Sequence, residues 1–163
     1  MHTSLEVASG LPSPTVYDIS QDVNGFMWIA NGKGLCRFDG LRYLQLEGKL
    51  LQGKSLSNIN WVKGKLVCQD FSGNFYSIKN NELVKIDGIK NYGSYVSSFT
   101  WKNGLIFTNN NSLKYFDLNQ KKKEVLHQGT SIRSAFTIDK DGFYFLSKDC
   151  IWKLSQNSKS SIL

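Results

Sequence analysis

The sequence predicts an all-β protein made of four repeated antiparallel sheets, and three observations carry that reading. Gly25, Gly64, Gly104 and Gly142 recur 39, 40 and 38 residues apart, each placed in a tight polar turn. Each is followed by an apolar run: Phe26-Met27-Trp28-Ile29, Leu66-Val67-Cys68, Leu105-Ile106-Phe107 and Phe143-Tyr144-Phe145-Leu146. Asn-Gly, Asn-Asn and Asp-Gly steps punctuate the chain, with only two prolines and no convincing amphipathic helix. A period near forty built from short strands is the mark of a β-propeller blade. A blade cannot bury both its own faces, so it must stack on neighbours.

Repeat one shows the pattern best. Val16-Tyr17-Asp18-Ile19-Ser20 alternates in polarity as a first strand, and Asp22-Val23-Asn24-Gly25 turns. Phe26 to Ala30 is wholly apolar, as expected of a strand covered on both faces. Asn31-Gly32-Lys33-Gly34 turns into a third strand, Leu35 to Phe38. After Asp39-Gly40, Arg42-Tyr43-Leu44-Gln45-Leu46 alternates like a half-exposed outer strand.

The other repeats follow the same plan. Repeat two takes Ile59 to Val62, Leu66 to Gln69, Phe75 to Ile78 and Leu83 to Ile86. Repeat three takes Val96 to Trp101, Leu105 to Thr108, Leu113 to Phe116 and Glu124 to His127. Repeat four takes Ser134 to Ile138, Phe143 to Ser147, Ile151 to Leu154 and a weak last strand near Ile162. The predicted blades span about 8–46, 55–87, 94–127 and 132–163, one partial propeller over 1–163. Residues 4–7, around Leu5-Glu6-Val7, form a surplus outer strand from a preceding blade or a ring closure. That surplus predicts an arc cut from a longer propeller.

Bulk properties narrow the function classes. The 163 residues suffice for one sizeable core, and 13% aromatic content suits strands. No run is long enough for a transmembrane helix. The net charge of +7 comes from lysines scattered through turns, such as Lys63-Gly64-Lys65 and Lys121-Lys122-Lys123. Scattered lysines describe a solvated face, so no nucleic-acid partner is expected. Cys36, Cys68 and Cys150 are an odd set lying beside apolar residues, which reads as small buried hydrophobes and not as a disulfide framework. Met1-His2-Thr3-Ser4 carries no apolar stretch of a secretory leader, which alone points to the cytoplasm.

One stretch resembles a known family. Gly10-Leu11-Pro12-Ser13, Val16-Tyr17-Asp18-Ile19, Asp22, Asn24-Gly25, Trp28-Ile29-Ala30, Gly34-Leu35 and Arg37-Phe38-Asp39-Gly40 resemble the two-component regulator propeller repeat. Repeats two to four share only the period and the strand pattern. They lack the Trp-Ile step and the Arg-Phe-Asp-Gly ending. The resemblance implies the periplasmic input region of a membrane-anchored hybrid sensor histidine kinase, with the kinase elsewhere in the parent. It also implies carbohydrate oligomers as ligands.

Catalytic and metal motifs are weak. Asp22-Val23-Asn24-Gly25 and Asp139-Lys140-Asp141-Gly142 hint at calcium loops, but their twelfth positions are Asn31 and Lys148, where a bidentate carboxylate is needed. They read as β-turns. His2 and His127 are the only histidines and form no motif with one another, and no HExxH, P-loop or GxSxG occurs. No cofactor, metal or catalytic role is assigned. Trp28 reads as core, while Trp61, Trp101 and Trp152 are weighed as sugar platforms. The stronger candidates are loop residues. Turns between second and third strands share a face with the connections between blades, where loops converge on a central concave site. That face is expected to present Asn31, Lys33, Asp70, Asn109, Asn110 and Lys148, with Arg133 from a connection.

The expected function is ligand sensing or interaction in a signalling receptor. A self-contained propeller scaffold and a propeller lyase remain as alternatives. Uncovered apolar faces at the ends of an arc predict self-association.

Overall fold

The computed structural model describes residues 10–46, 55–89, 96–109, 111–129, 132–137, 142–148, 150–155 and 159–161. They form four four-stranded antiparallel sheets and no helix. Each sheet is a meander whose strands lie side by side in chain order. Sheet one holds β1 (Val16–Gln21), β2 (Met27–Asn31), β3 (Gly34–Phe38) and β4 (Tyr43–Gln45). Sheet two holds β5 (Leu56–Val62), β6 (Lys65–Asp70), β7 (Phe75–Lys79) and β8 (Glu82–Lys85). Sheet three holds β9 (Ser98–Trp101), β10 (Gly104–Asn109), β11 (Ser112–Asp117) and β12 (Lys122–Gln128). Sheet four holds β13 (Ile132–Thr137), β14 (Phe143–Ser147), β15 (Cys150–Leu154) and β16 (Lys159–Ser161). The surplus strand expected at residues 4–7, and Ile162, lie outside the described residues. The chain divides into two compact units, Met1–Tyr95 and Val96–Leu163.

In the first unit, the period-two alternation of β2 sets the packing. Trp28 and Ala30 point one way and join Leu35, Leu56, Leu66, Cys68, Tyr76 and Leu83 in the core shared by sheets one and two. Ile29 points the other way, onto Leu11 and Cys36, with Phe38 and Tyr43 packed beside them. The wholly apolar β2 run is therefore covered on both faces, as its composition predicts. Each fully buried leucine of this core contributes about 1.5–3 kcal/mol.

Polar groups tie the first strands of the two sheets together. The pairing of β5 with β6 is irregular between Ser57 and Asn60. A bulge withdraws backbone groups from the ladder. Asp18 of β1 meets one of them, its Oδ2 accepting the Ile59 N–H at 2.6 Å. Two residues on, Ser20 Oγ accepts the Trp61 indole N–H at 2.7 Å.

The second unit has its own core. Trp101, Ile106 and Leu113 of sheet three pack with Phe143, Phe145 and Leu154 of sheet four. His127 sits against Phe145 and Trp152, with ring centroids 5.1 and 5.2 Å away.

Two sequence expectations are corrected here. Gly104 is the first residue of β10 and not a turn residue. A Cβ there would lie 1.8 Å from the Phe116 carbonyl oxygen, so close backbone approach explains this glycine. Gly64 does sit in a turn, at φ +75. The periodic glycines thus answer to two different constraints. Lys122 and Lys123 belong to β12 and not to a turn, facing Asp117 and Phe116. The reason is Asp117, whose Oδ1 accepts the N–H groups of Asn119 and Gln120 and closes the turn early.

Candidate functional site

Within the first unit, two turns and two strand entries lie at one end of the sheets. The β2–β3 turn reaches back to the entry of β1, where Gly32 N–H donates to Thr15 O at 2.9 Å. Ser55, at the entry of β5, donates its hydroxyl to Gly32 O at 3.3 Å. The β6–β7 turn joins the same end through Phe71, whose ring meets Tyr17 of β1 edge to face at 4.8 Å.

The polar candidates at this end are spent differently from the sequence expectation. Asn31 closes β2 and is fully buried. Its Oδ1 accepts the Lys33 N–H at 2.8 Å, and its Nδ2 faces Ile29 O and Cys36 Sγ. Asp70 closes β6 at the equivalent place and is also buried. Its Oδ1 accepts the N–H groups of Ser72 and Asn74, both at 2.9 Å. Its Oδ2 accepts the Asn74 amide and the Tyr76 hydroxyl, both at 2.8 Å. Burial alone raises the Asp70 pKa, but these four donors outweigh it and hold the carboxyl below its ordinary value. Burial and the same carboxylate push the Tyr76 phenol up. Both side chains therefore brace their own turns. Lys33 is exposed at this end, and Gln45 Nε2 donates to its carbonyl at 3.0 Å.

In the second unit, Asn109 ends β10 opposite Ser112. Arg133 falls at the irregularity of β13 between Ile132 and Ser134. Lys148 is exposed in the β14–β15 turn with φ +55. Asn110 lies outside the described residues.

The tryptophans weighed as platforms are packed. Trp28 and Trp101 are buried, and Trp61 and Trp152 are half-buried against the cores. Two other aromatics are exposed. Tyr17 and Phe71 are 44% and 45% exposed. Tyr17 occupies the irregularity between Val16 and Asp18, the same register position that Arg133 holds in sheet four. In sequence Tyr17 is one member of an alternating strand, whereas Phe71 stands out as an aromatic ring inside the polar turn Asp70-Phe71-Ser72-Gly73-Asn74.

The residues behind the family resemblance have structural work at the other end of sheet one. Asp22 Oδ1 accepts the N–H groups of Asn24 and Phe26, and its Oδ2 accepts the Trp28 indole N–H at 2.9 Å. The Arg37 guanidinium lies 4.6 Å from the Phe26 ring centroid and 5.9 Å from that of Trp28. Asp39 Oδ1 accepts the N–H groups of Leu41 and Arg42. Among the described residues, no cluster of His, Cys, Asp or Glu could hold a metal ion.

Four meandering four-stranded sheets define a protein of β-propeller blades. Within it, residues 10–33 match the model of the two component regulator propeller. The chain is similar in fold to the extracellular domain of BT4673 of B. thetaiotaomicron, described as a hybrid two component system. The TM-score is 0.69 at 16% identity, over 94% of this chain and 22% of that one. The extracellular domain of BT3049, described in the same way and from the same organism, gives 0.67 at 18% identity, over 99% and 26%. PorZ of Porphyromonas gingivalis, a bacterial surface component of the type-IX secretion system, gives 0.63 at 12% identity, over 93% and 22%. The chain spans about a quarter or less of the length of these structures. At such identities the likeness is one of fold. No curated protein matches the chain in sequence.

Proposed function

We propose that this chain is part of the extracytoplasmic sensory propeller of a two-component signalling receptor, and that its ligands are carbohydrate-derived oligomers. The observation that carries the reading is the match of residues 10–33 to the two component regulator propeller. The fold likeness to two extracellular domains of hybrid two component systems supports it. In this reading the location is periplasmic, the parent is membrane-anchored, and a histidine kinase lies elsewhere in it. Ligand binding, or association with a second protomer, biases the kinase by favouring one arrangement of domains. Lys33 and Lys148 are the exposed side chains among the described loop candidates.

The test is thermal denaturation of the purified chain with a panel of neutral and acidic oligosaccharides. A ligand present at a hundred times its Kd stabilises a folded protein by about 2.7 kcal/mol, which a melting curve resolves. One class of oligosaccharide is expected to raise Tm. No response to any member would favour the second reading, an interaction scaffold.

A further inference from the structure

Among the side chains described, Tyr17 and Phe71 are the aromatic residues in the exposed class, and they touch one another. Their centroids are 4.8 Å apart with the ring planes at 66°. They come from different sheets of the first unit. Phe71 follows Asp70, which takes three hydrogen bonds from its own turn and one from Tyr76 of β7. Tyr17 stands at the β1 irregularity, beside the pairing of Val16 with Asn31. Leaving two rings nearly half in water forfeits part of their apolar burial.

The surroundings are polar. Thr15, Lys33 and Ser72 are exposed at the same end. A small apolar surface with hydroxyl and ammonium groups at the same end suits a ligand with one CH-rich face and a rim of hydroxyls. A pyranose ring has that shape and chemistry, and aromatic sites with a few placed polar groups are the usual form of small-ligand sites.

We infer that Tyr17 and Phe71 form a stacking subsite for one sugar ring of an oligosaccharide. The inference rests on the carbohydrate reading above and adds the place of contact. The full chain, Phe71→Leu and Tyr17→Leu are titrated with cello-, xylo-, manno- and chitohexaose by calorimetry and saturation-transfer NMR. Leucine keeps apolar bulk and removes the ring, and melting curves confirm that each variant folds. The expected result is saturation of sugar CH protons in the parent chain, with clearly weaker affinity in both variants. Hexaose binding of unchanged affinity in both folded variants would overturn the subsite and leave the carbohydrate reading standing. No binding of any hexaose by the parent chain would overturn the carbohydrate reading, and the subsite with it.

Discussion

Asp18 and Ile59 are 41 residues apart in sequence and are joined by a 2.6 Å hydrogen bond, the carboxylate Oδ2 accepting the backbone N–H. The bond links the first strands of sheets one and two where β5 departs from regular pairing. Asp18→Ala removes the acceptor and leaves the Ile59 N–H unpaired. An unsatisfied buried donor costs about 1–3 kcal/mol, and this half-buried one should fall at the lower end. Urea unfolding should show a loss in that range, and Asp18→Asn, which keeps an acceptor oxygen, should lose less. Equal losses in the two variants would contradict this account.

Asp70→Ala is expected to be among the more harmful substitutions in the first unit. It strips one acceptor group from two backbone N–H groups, the Asn74 amide and the Tyr76 hydroxyl. The loss should reach about 3 kcal/mol. Chemical denaturation measures it, and a variant as stable as the parent would refute the bracing role.

Stability should fall in acid. The carboxyls of Asp22 and Asp70 are held below the ordinary 3.8. In each case burial pushes upward and hydrogen bonds to side chains and backbone outweigh it. A carboxyl with a lowered folded-state pKa stabilises the fold above its unfolded value and loses that contribution as pH falls through the folded one. Tm should therefore be level near neutrality and drop below about pH 3.8, with a shallower drop in Asp70→Asn. Parallel Tm curves for parent and variant down to pH 2 would disprove the assignment to Asp70.

Gly104→Ala should destabilise the second unit. The new Cβ would meet the Phe116 carbonyl oxygen at 1.8 Å, and a backbone atom inside a sheet cannot swing away. Overpacking of this kind costs about 1–3 kcal/mol. Gly40→Ala makes a useful contrast, because nothing lies within 4 Å of its Cβ position and only its φ of +100 opposes the change.

The face of sheet one that points away from sheet two carries Ile19, 48% exposed and paired in register with buried Ile29. We propose that the exposed Ile19 at the edge of this face mediates self-association with a second copy of the chain. Light scattering over a range of concentrations should show an oligomer that Ile19→Lys weakens. A mass distribution identical for parent and variant at every concentration would exclude this face.

The sequence by itself determined the repeated sheets. Glycine period, turn chemistry and apolar runs are local signals, and they placed most strands within two or three residues of where they lie. Residues 10–40 also showed their family resemblance without a structure, because Asp22, Trp28, Arg37 and Asp39 interact within one repeat. The tertiary structure decided what the polar and aromatic residues do. Asn31 and Asp70 read as exposed loop residues, yet strand ends bury them, and their side chains then have to satisfy the turn's own N–H groups. Tyr17 and Phe71 are brought together from different sheets, a contact that no periodicity encodes. Backbone propensity acts over a few residues, whereas burial and hydrogen-bond satisfaction depend on what the rest of the chain puts beside them.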